Sequence, residues 1–201
     1  MPCRGHAAAS GDVRNLVQTI AQLPRSYSQP VEATLNDRDL DVVARNAIML
    51  MVALVTDDID TAIDCILHVW YSALIRRSDL DLVQQRVRPL IAAVCDKIKS
   101  KPADSLQAKT WTFGQRSLRL VLERSSWQSL LSFMDVPEGL TAELAGQIRN
   151  VVTLAESRKD YLDRHLLLQA PRRRVAKVRF RQDGLLLPFG AQRDSFCEPN
   201  P

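Results

Sequence analysis

Ala8-Ala9-Ser10-Gly11-Asp12 and Leu35-Asn36-Asp37-Arg38-Asp39 bracket the stretch, residues 7–55, whose reading decides the fold. The first is a small-residue turn opening an amphipathic run, with Val13, Leu16, Val17, Ile20 and Leu23 at helical spacing and Pro24 as the stop. Ser10 or Asp12 is placed to cap this helix. Val31-Glu32-Ala33-Thr34-Leu35 alternates apolar and polar residues after Pro30, which predicts a short strand with acids at its C-terminal end. Glycine turn, helix, strand and acidic tip follow one another in the order used by doubly wound α/β domains to hold nucleotide-type ligands.

Outward from there the chain reads as helix-rich. Residues 40–55 are apolar nearly all round, so that helix must be covered on most faces. A second helix is expected over 57–75, capped by Thr56, and a third from Ser78-Asp79 toward Ile98, kinked or broken at Pro89. Residues 97–109 are polar with Pro102 and predict a surface loop. Leu118, Leu120 and Leu122 alternate as in a strand, and Ser125 or Ser126 would cap a short helix carrying Trp127, Leu130 and Leu131. A further helix is expected from a Thr141 cap to about Leu168. Ala176, Val178 and Phe180 then alternate with Lys177, Arg179 and Arg181, predicting a half-buried strand, and residues 191–201 read as a polar tail.

With 201 residues and 46% hydrophobic content, one domain over 1–201 with one sizeable core is expected. The net charge of +4 gives no whole-molecule field toward nucleic acid or membrane, and no run approaches the roughly 20 apolar residues of a bilayer span. Cys3, Cys65, Cys95 and Cys197 are scattered without metal-ligand spacing, which fits a reducing compartment and a cytoplasmic protein.

Two groups of residues could carry chemistry. In a cofactor-binding reading, Gly11 and Asp12 form the close-approach turn and Asp37 accepts from two ribose hydroxyls; in the alternative reading the same residues are helix caps and a surface ion pair. Only one glycine is present where the dinucleotide fingerprint uses three, and residues 1–7 read as too short and polar for a first parallel strand. Arg172, Arg173, Arg174, Lys177, Arg179 and Arg181 form a basic face that could contact phosphates, or be simply solvated. His68, on an apolar helix without an evident nucleophile, reads as a hydrogen-bonded structural residue, and Trp70, Trp111 and Trp127 as core anchors. No catalytic set and no metal set is found.

The blocks Ala9-Ser10-Gly11-Asp12-Val13-Arg14-Asn15, Leu35-Asn36-Asp37-Arg38-Asp39 with Val42-Val43-Ala44-Arg45-Asn46, His68-Val69-Trp70-Tyr71-Ser72-Ala73, and Leu186-Leu187-Pro188-Phe189-Gly190-Ala191 resemble the domain of unknown function 4470. That domain occurs in fungal proteins, sometimes beside a MYND zinc finger, and at the N-terminus of dynein axonemal assembly factors. The resemblance, placed over about 10–201, implies a Rossmann-like, degenerate methyltransferase-like domain with no established activity. Against the family pattern, the strand before Gly11 and a MYND ligand set are missing, and the ending at Glu198-Pro199-Asn200-Pro201 suggests a truncated product. The expectation is therefore a helix-rich α/β, Rossmann-like single domain lacking its first strand. Its expected role is a non-catalytic protein-interaction or assembly module that binds a protein partner or itself. An S-adenosylmethionine-dependent methyltransferase is the alternative, and nucleic-acid binding through the basic strand a third reading.

Overall fold

The computed structural model describes residues 3–8, 11–153 and 164–201, and for 3–8, 152 and 153 the backbone alone. The chain divides into two compact units, Met1–Leu50 and Met51–Pro201. The fold is mixed α/β and helix-rich, but its described strands form three two-stranded sheets, and no Rossmann sheet is among them.

In the first unit, β1 (Cys3–Ala8) and β2 (Val31–Asn36) pair in parallel, from Cys3 opposite Val31 to Ala8 opposite Asn36, with α1 (Arg14–Ala21) as the crossover. The first strand that the sequence reading found missing is therefore present. Polarity misled that reading because β2 is itself exposed along most of its length, so this pair asks for backbone register rather than an apolar run. None of α1's own residues is buried, and Val17 and Ile20 are 54% and 47% exposed. Then α2 (Leu40–Val55), whose last five residues belong to the second unit, begins and ends where its all-round apolar pattern does, with Ala44, Ala47, Ile48 and Met49 buried in the first part and Met51, Val52 and Val55 in the second.

In the second unit α3 (Ile59–Tyr71) is capped not by Thr56 but by Asp58, whose carboxylate accepts the Thr61 N–H at 2.9 Å. The helix expected to run to Ile75 stops at Tyr71, because residues 74–76 form β3 (Leu74–Arg76) and pair antiparallel with β6 (Phe196–Pro199). Ile75 and Phe196 are buried there, so the last residues are a docked strand rather than a polar tail. Next, α4 (Arg77–Leu82) passes through a π-helical turn, Val83–Val87, into α5 (Arg88–Ile98). The break expected at Pro89 is this wide turn: proline has no N–H to offer, and the Arg88 N–H reaches back to the Val83 carbonyl instead.

The expected loop 97–109 shrinks at both ends. α5 runs to Ile98, and β4 (Leu106–Phe113) pairs antiparallel with β5 (Arg116–Glu123), the strand the leucine alternation predicts. α6 (Arg124–Ser132) starts one residue ahead of the expected serine caps and buries Trp127 and Leu130. α7 (Ala142–Thr153) is capped as expected, the Thr141 hydroxyl accepting the Leu144 N–H at 3.2 Å; its expected continuation over 154–163 lies outside the described residues.

Residues 171–183, whose alternation over 176–181 predicts a strand, are instead the helix α8 (Pro171–Asp183). Proline at the first helical position costs no hydrogen bond, and Gly184 at φ +78° gives the left-handed end, its N–H bonding the Phe180 carbonyl at 3.0 Å. Those end signals outweigh a short alternation whose polar half, arginine and lysine, itself favours helix.

The core of this unit is built on Trp127, Ile91, Val83, Val87, Leu130 and Met134, each at most 1% exposed. The Trp127 ring lies 6.0 Å from that of Trp111, and its Nε1–H donates to the Gln107 carbonyl at 3.1 Å. Cys65 and Cys95 are buried free thiols, as expected, with burial pushing the Cys65 thiol up to about 12.

Gly184 is also a close approach, since a Cβ there would lie 2.8 Å from the Ala73 Cβ and 2.7 Å from Arg149 Cδ. Gly190 has a similar φ of +85° with nothing within 4 Å. We expect Gly190→Ala to cost about 1 kcal/mol in left-handed strain and Gly184→Ala about 1–3 kcal/mol more from overpacking, measured by urea denaturation of the two variants side by side.

Candidate functional site

In the first unit the structure brings together Gly11 and Asp37, as their spacing suggested. Gly11 sits in the turn between β1 and α1 at φ +59°, and its N–H donates to Asp37 Oδ2 at 2.9 Å. The other carboxylate oxygen accepts the Asp39 N–H at 3.0 Å. The two backbone donors, Asp39 foremost, hold the Asp37 carboxyl below its ordinary range. Buried Asn46, on α2, donates from Nδ2 to the Gly11 carbonyl at 2.8 Å, a partner the sequence reading did not name. Asp12 accepts the Arg14 N–H at 2.9 Å and pairs with the Arg14 guanidinium at 2.7 Å. Slight burial raises the Asp12 carboxyl, but the Arg14 bonds outweigh it and hold it low. Both polar groups of the Gly11 backbone are thus engaged inside the protein, which leaves its N–H no free direction toward a ligand.

The second unit holds a buried polar cluster that the sequence reading missed. Asp79, 2% exposed, takes the Arg76 guanidinium on both oxygens at 2.9 Å and the Arg76 backbone N–H at 3.1 Å. The same guanidinium reaches Asp64 at 3.2 Å and lies 5.7 Å from the centre of the Phe196 ring, which meets the His68 ring edge-on at 4.6 Å.

His68 is buried and hydrogen-bonded, as a structural histidine should be: its Nδ1 lies 3.0 Å from the Ser72 hydroxyl, which accepts the Leu186 N–H at 3.1 Å. Serine and histidine at this distance could form a nucleophile and base. Both are only 5% exposed, however, and burial pushes the imidazole below its ordinary value despite the pull of Asp79. Asn200 completes the cluster by donating from Nδ2 to the carbonyls of Val69 and Ser72 at 3.0 and 2.8 Å, closing the C-terminal end of α3. Arg76 and Asp79 are only three residues apart and His68 and Ser72 four, but Asn200 lies 128 positions from Ser72, and no local signal links it to them.

The predicted basic face is divided by the helix that carries it. In α8, Arg172 and Arg179 share a side with Val175, whereas Arg173, Lys177 and Arg181 follow at four-residue spacing on another. Arg174 donates to the Leu167 and Gln169 carbonyls, and the Lys177 ammonium bonds His165. Trp70 differs from the other two tryptophans in being half-buried, stacked on Tyr71 at 4.9 Å in the wall of a cleft of about 350 Å³. Among the described residues no three His, Cys, Asp or Glu side chains are grouped to hold a metal ion, and no helix is long and apolar enough to cross a membrane.

Two outcomes follow for the polar cluster. Asp79→Ala leaves Arg76 without its closest partner and should cost about 3–5 kcal/mol in chemical denaturation. His68 is held neutral in the folded chain, while the unfolded histidine takes a proton near pH 6.5. Its contribution to stability is therefore fully present above that pH and is lost as pH falls toward the lowered folded value. The part of the decline near pH 6 should be absent in His68→Gln, followed as denaturant midpoint against pH.

Comparison with known proteins bears on the first unit and the start of the second. Residues 6–75 match the family model of the Domain of unknown function (DUF4470). The match takes in three of the four blocks that resemble the family, whereas Leu186-Leu187-Pro188-Phe189-Gly190-Ala191 lies beyond it. No curated protein and no solved structure matches the chain. The stretch from the Gly11 turn through α3 is therefore a DUF4470 domain, at residues 6–75.

Proposed function

We propose that this protein is a non-catalytic interaction module. The observation that carries the reading is the parallel pair β1 and β2, to which no third strand is joined among the described residues. Parallel strands elsewhere are buried on both faces, and a two-stranded sheet is marginal by itself, yet β2 is exposed from Val31 to Thr34. Val17 and Ile20 on the crossover helix are exposed as well. Such a unit gains stability when a further strand or an apolar surface covers it. The purified chain should therefore self-associate with rising concentration in light scattering and bind a hydrophobe-sensing dye. A clean monomer that leaves the dye dark would overturn the reading.

A second reading, S-adenosylmethionine-dependent methyl transfer, is supported by the order strand, Gly11 turn, helix, strand and Asp37. Against it, the Gly11 N–H is bonded to Asp37, so the turn's closest backbone donor is engaged within the protein, and each Asp37 oxygen already accepts one backbone donor. We expect no heat on titrating S-adenosylmethionine below millimolar concentration, and a lower melting temperature for Asp37→Ala from the loss of those two bonds. A micromolar affinity that disappears in Asp37→Ala would restore the methyltransferase. Nucleic-acid binding draws less support still, because helical geometry does not gather the six cations on one face.

A further inference from the structure

α3 is amphipathic, but apolar on both sides. Its inner side buries Ala62, Cys65 and His68. Its outer side carries Ile59, Ile63 and Leu67 at four-residue spacing, 71%, 49% and 39% exposed, with Ile66 and Trp70 completing the stripe. Three large aliphatic side chains in a row on a short helix form a contiguous patch rather than scattered surface hydrophobes.

The stripe does not end at the helix. Trp70 belongs both to it and to the cleft of about 350 Å³, whose other walls include Tyr71, Leu140, Ala145 and Ile148. On α7, Leu144, Ile148 and Val151 are themselves 41%, 55% and 76% exposed. The apolar face of α3 thus meets, at Trp70, an open and shallow cleft with room for one bulky side chain, a surface of the kind on which an amphipathic helix can lie.

Charge selects among helices. Residues 57–71 hold four carboxylates, Asp57, Asp58, Asp60 and Asp64, and no lysine or arginine, in a chain whose net charge is +4. Asp60 and Asp64 follow one edge of the stripe, and Asp57 and Asp58 stand at its N-terminal end. Asp64 shares Arg76, whereas Asp60 is exposed at the rim. Arg149, also on the cleft wall, lies over the Phe180 ring at 4.4 Å. The rim along α3 is acidic, whereas the cleft wall itself carries no acidic side chain and one cation, Arg149.

Resting on the reading of this protein as an interaction module, we propose that the outer face of α3, with the cleft beside Trp70, docks an amphipathic helix of a partner protein. That helix presents apolar side chains at i, i+4, i+7 and i+11, flanked by lysine or arginine. A second copy of this chain through the same face is disfavoured, since two α3 helices brought together would set their aspartates against each other.

The probes are two synthetic helices with one leucine face, flanked in one by lysines and in the other by glutamates. The readout is tryptophan emission of the full chain, with Trp70→Phe to show that the signal comes from the cleft, since Trp111 and Trp127 are 8% and 0% exposed. The lysine-flanked helix should shift the emission to the blue, bind at least about tenfold tighter than the glutamate-flanked one, and weaken with salt. Ile63→Asp should abolish binding with circular dichroism unchanged, and Asp60→Lys should narrow or reverse the preference between the probes.

Equal binding of the two helices, binding of neither, or binding that survives Ile63→Asp overturns the proposal. So does an emission shift that follows protein concentration alone and is lost in Ile63→Asp, because the occupant is then a second copy. If the chain proves monomeric and dye-silent, the wider reading has failed. Self-association and dye binding without a lysine preference fail this proposal alone.

Discussion

A guanidinium held by a buried carboxylate joins the elements of the second unit. Asp79 can stay in the interior only because Arg76 meets it with two side-chain donors and its own backbone N–H, and Arg76 can lie there only because Asp79 and Asp64 balance its charge. Through that one side chain, three elements converge: Asp64 on α3, Asp79 on α4 and the Phe196 ring on β6. An apolar replacement of similar size would fill the space but would not fix which strand end meets which helix. In the same unit His68 bonds the Ser72 hydroxyl and Asn200 bonds the carbonyls at the end of α3, which ties the C-terminal strand region to that helix.

Much of the helical framework was legible in the chain. α2 could be read to the residue because its apolar positions are continuous and its ends are polar, and β5 because leucines alternate with arginine and valine. Elements stabilised from a distance escaped. β3 and β6 are three and four residues long, and their pairing rather than their composition makes them strands. β1 lacks the usual strand formers, and α8 imitates a strand wherever the alternation is weighed without Pro171 and Gly184. The meeting of Gly11 with Asp37 was visible as a spacing, but the Asn46 side chain that closes it comes from 35 residues away in sequence.

The Gly11 turn shows how far topology and chemistry can part. A parallel strand, helix, strand unit with an acid at its tip is a common place for a phosphate or a ribose, because the turn leaves backbone donors facing outward. Here the Gly11 N–H bonds Asp37 and the Arg14 N–H bonds Asp12 within the loop, so two of these donors fasten the turn to its own acids.

The bond from Asn200 to the Val69 carbonyl spans 131 positions of sequence, and the strand pair beside it spans nearly as many. A ribosome releases residues in order, so α3 emerges long before the segment that closes its C-terminal end exists. Until residues 196–200 have left the exit tunnel, Ile75, the His68 ring and the carbonyls at the end of α3 lack the partners that β6 and Asn200 supply. Nascent chains of this protein therefore pass through a period, set by translation speed rather than by intrinsic folding rate, in which that surface is open to chaperones and to other unfinished chains.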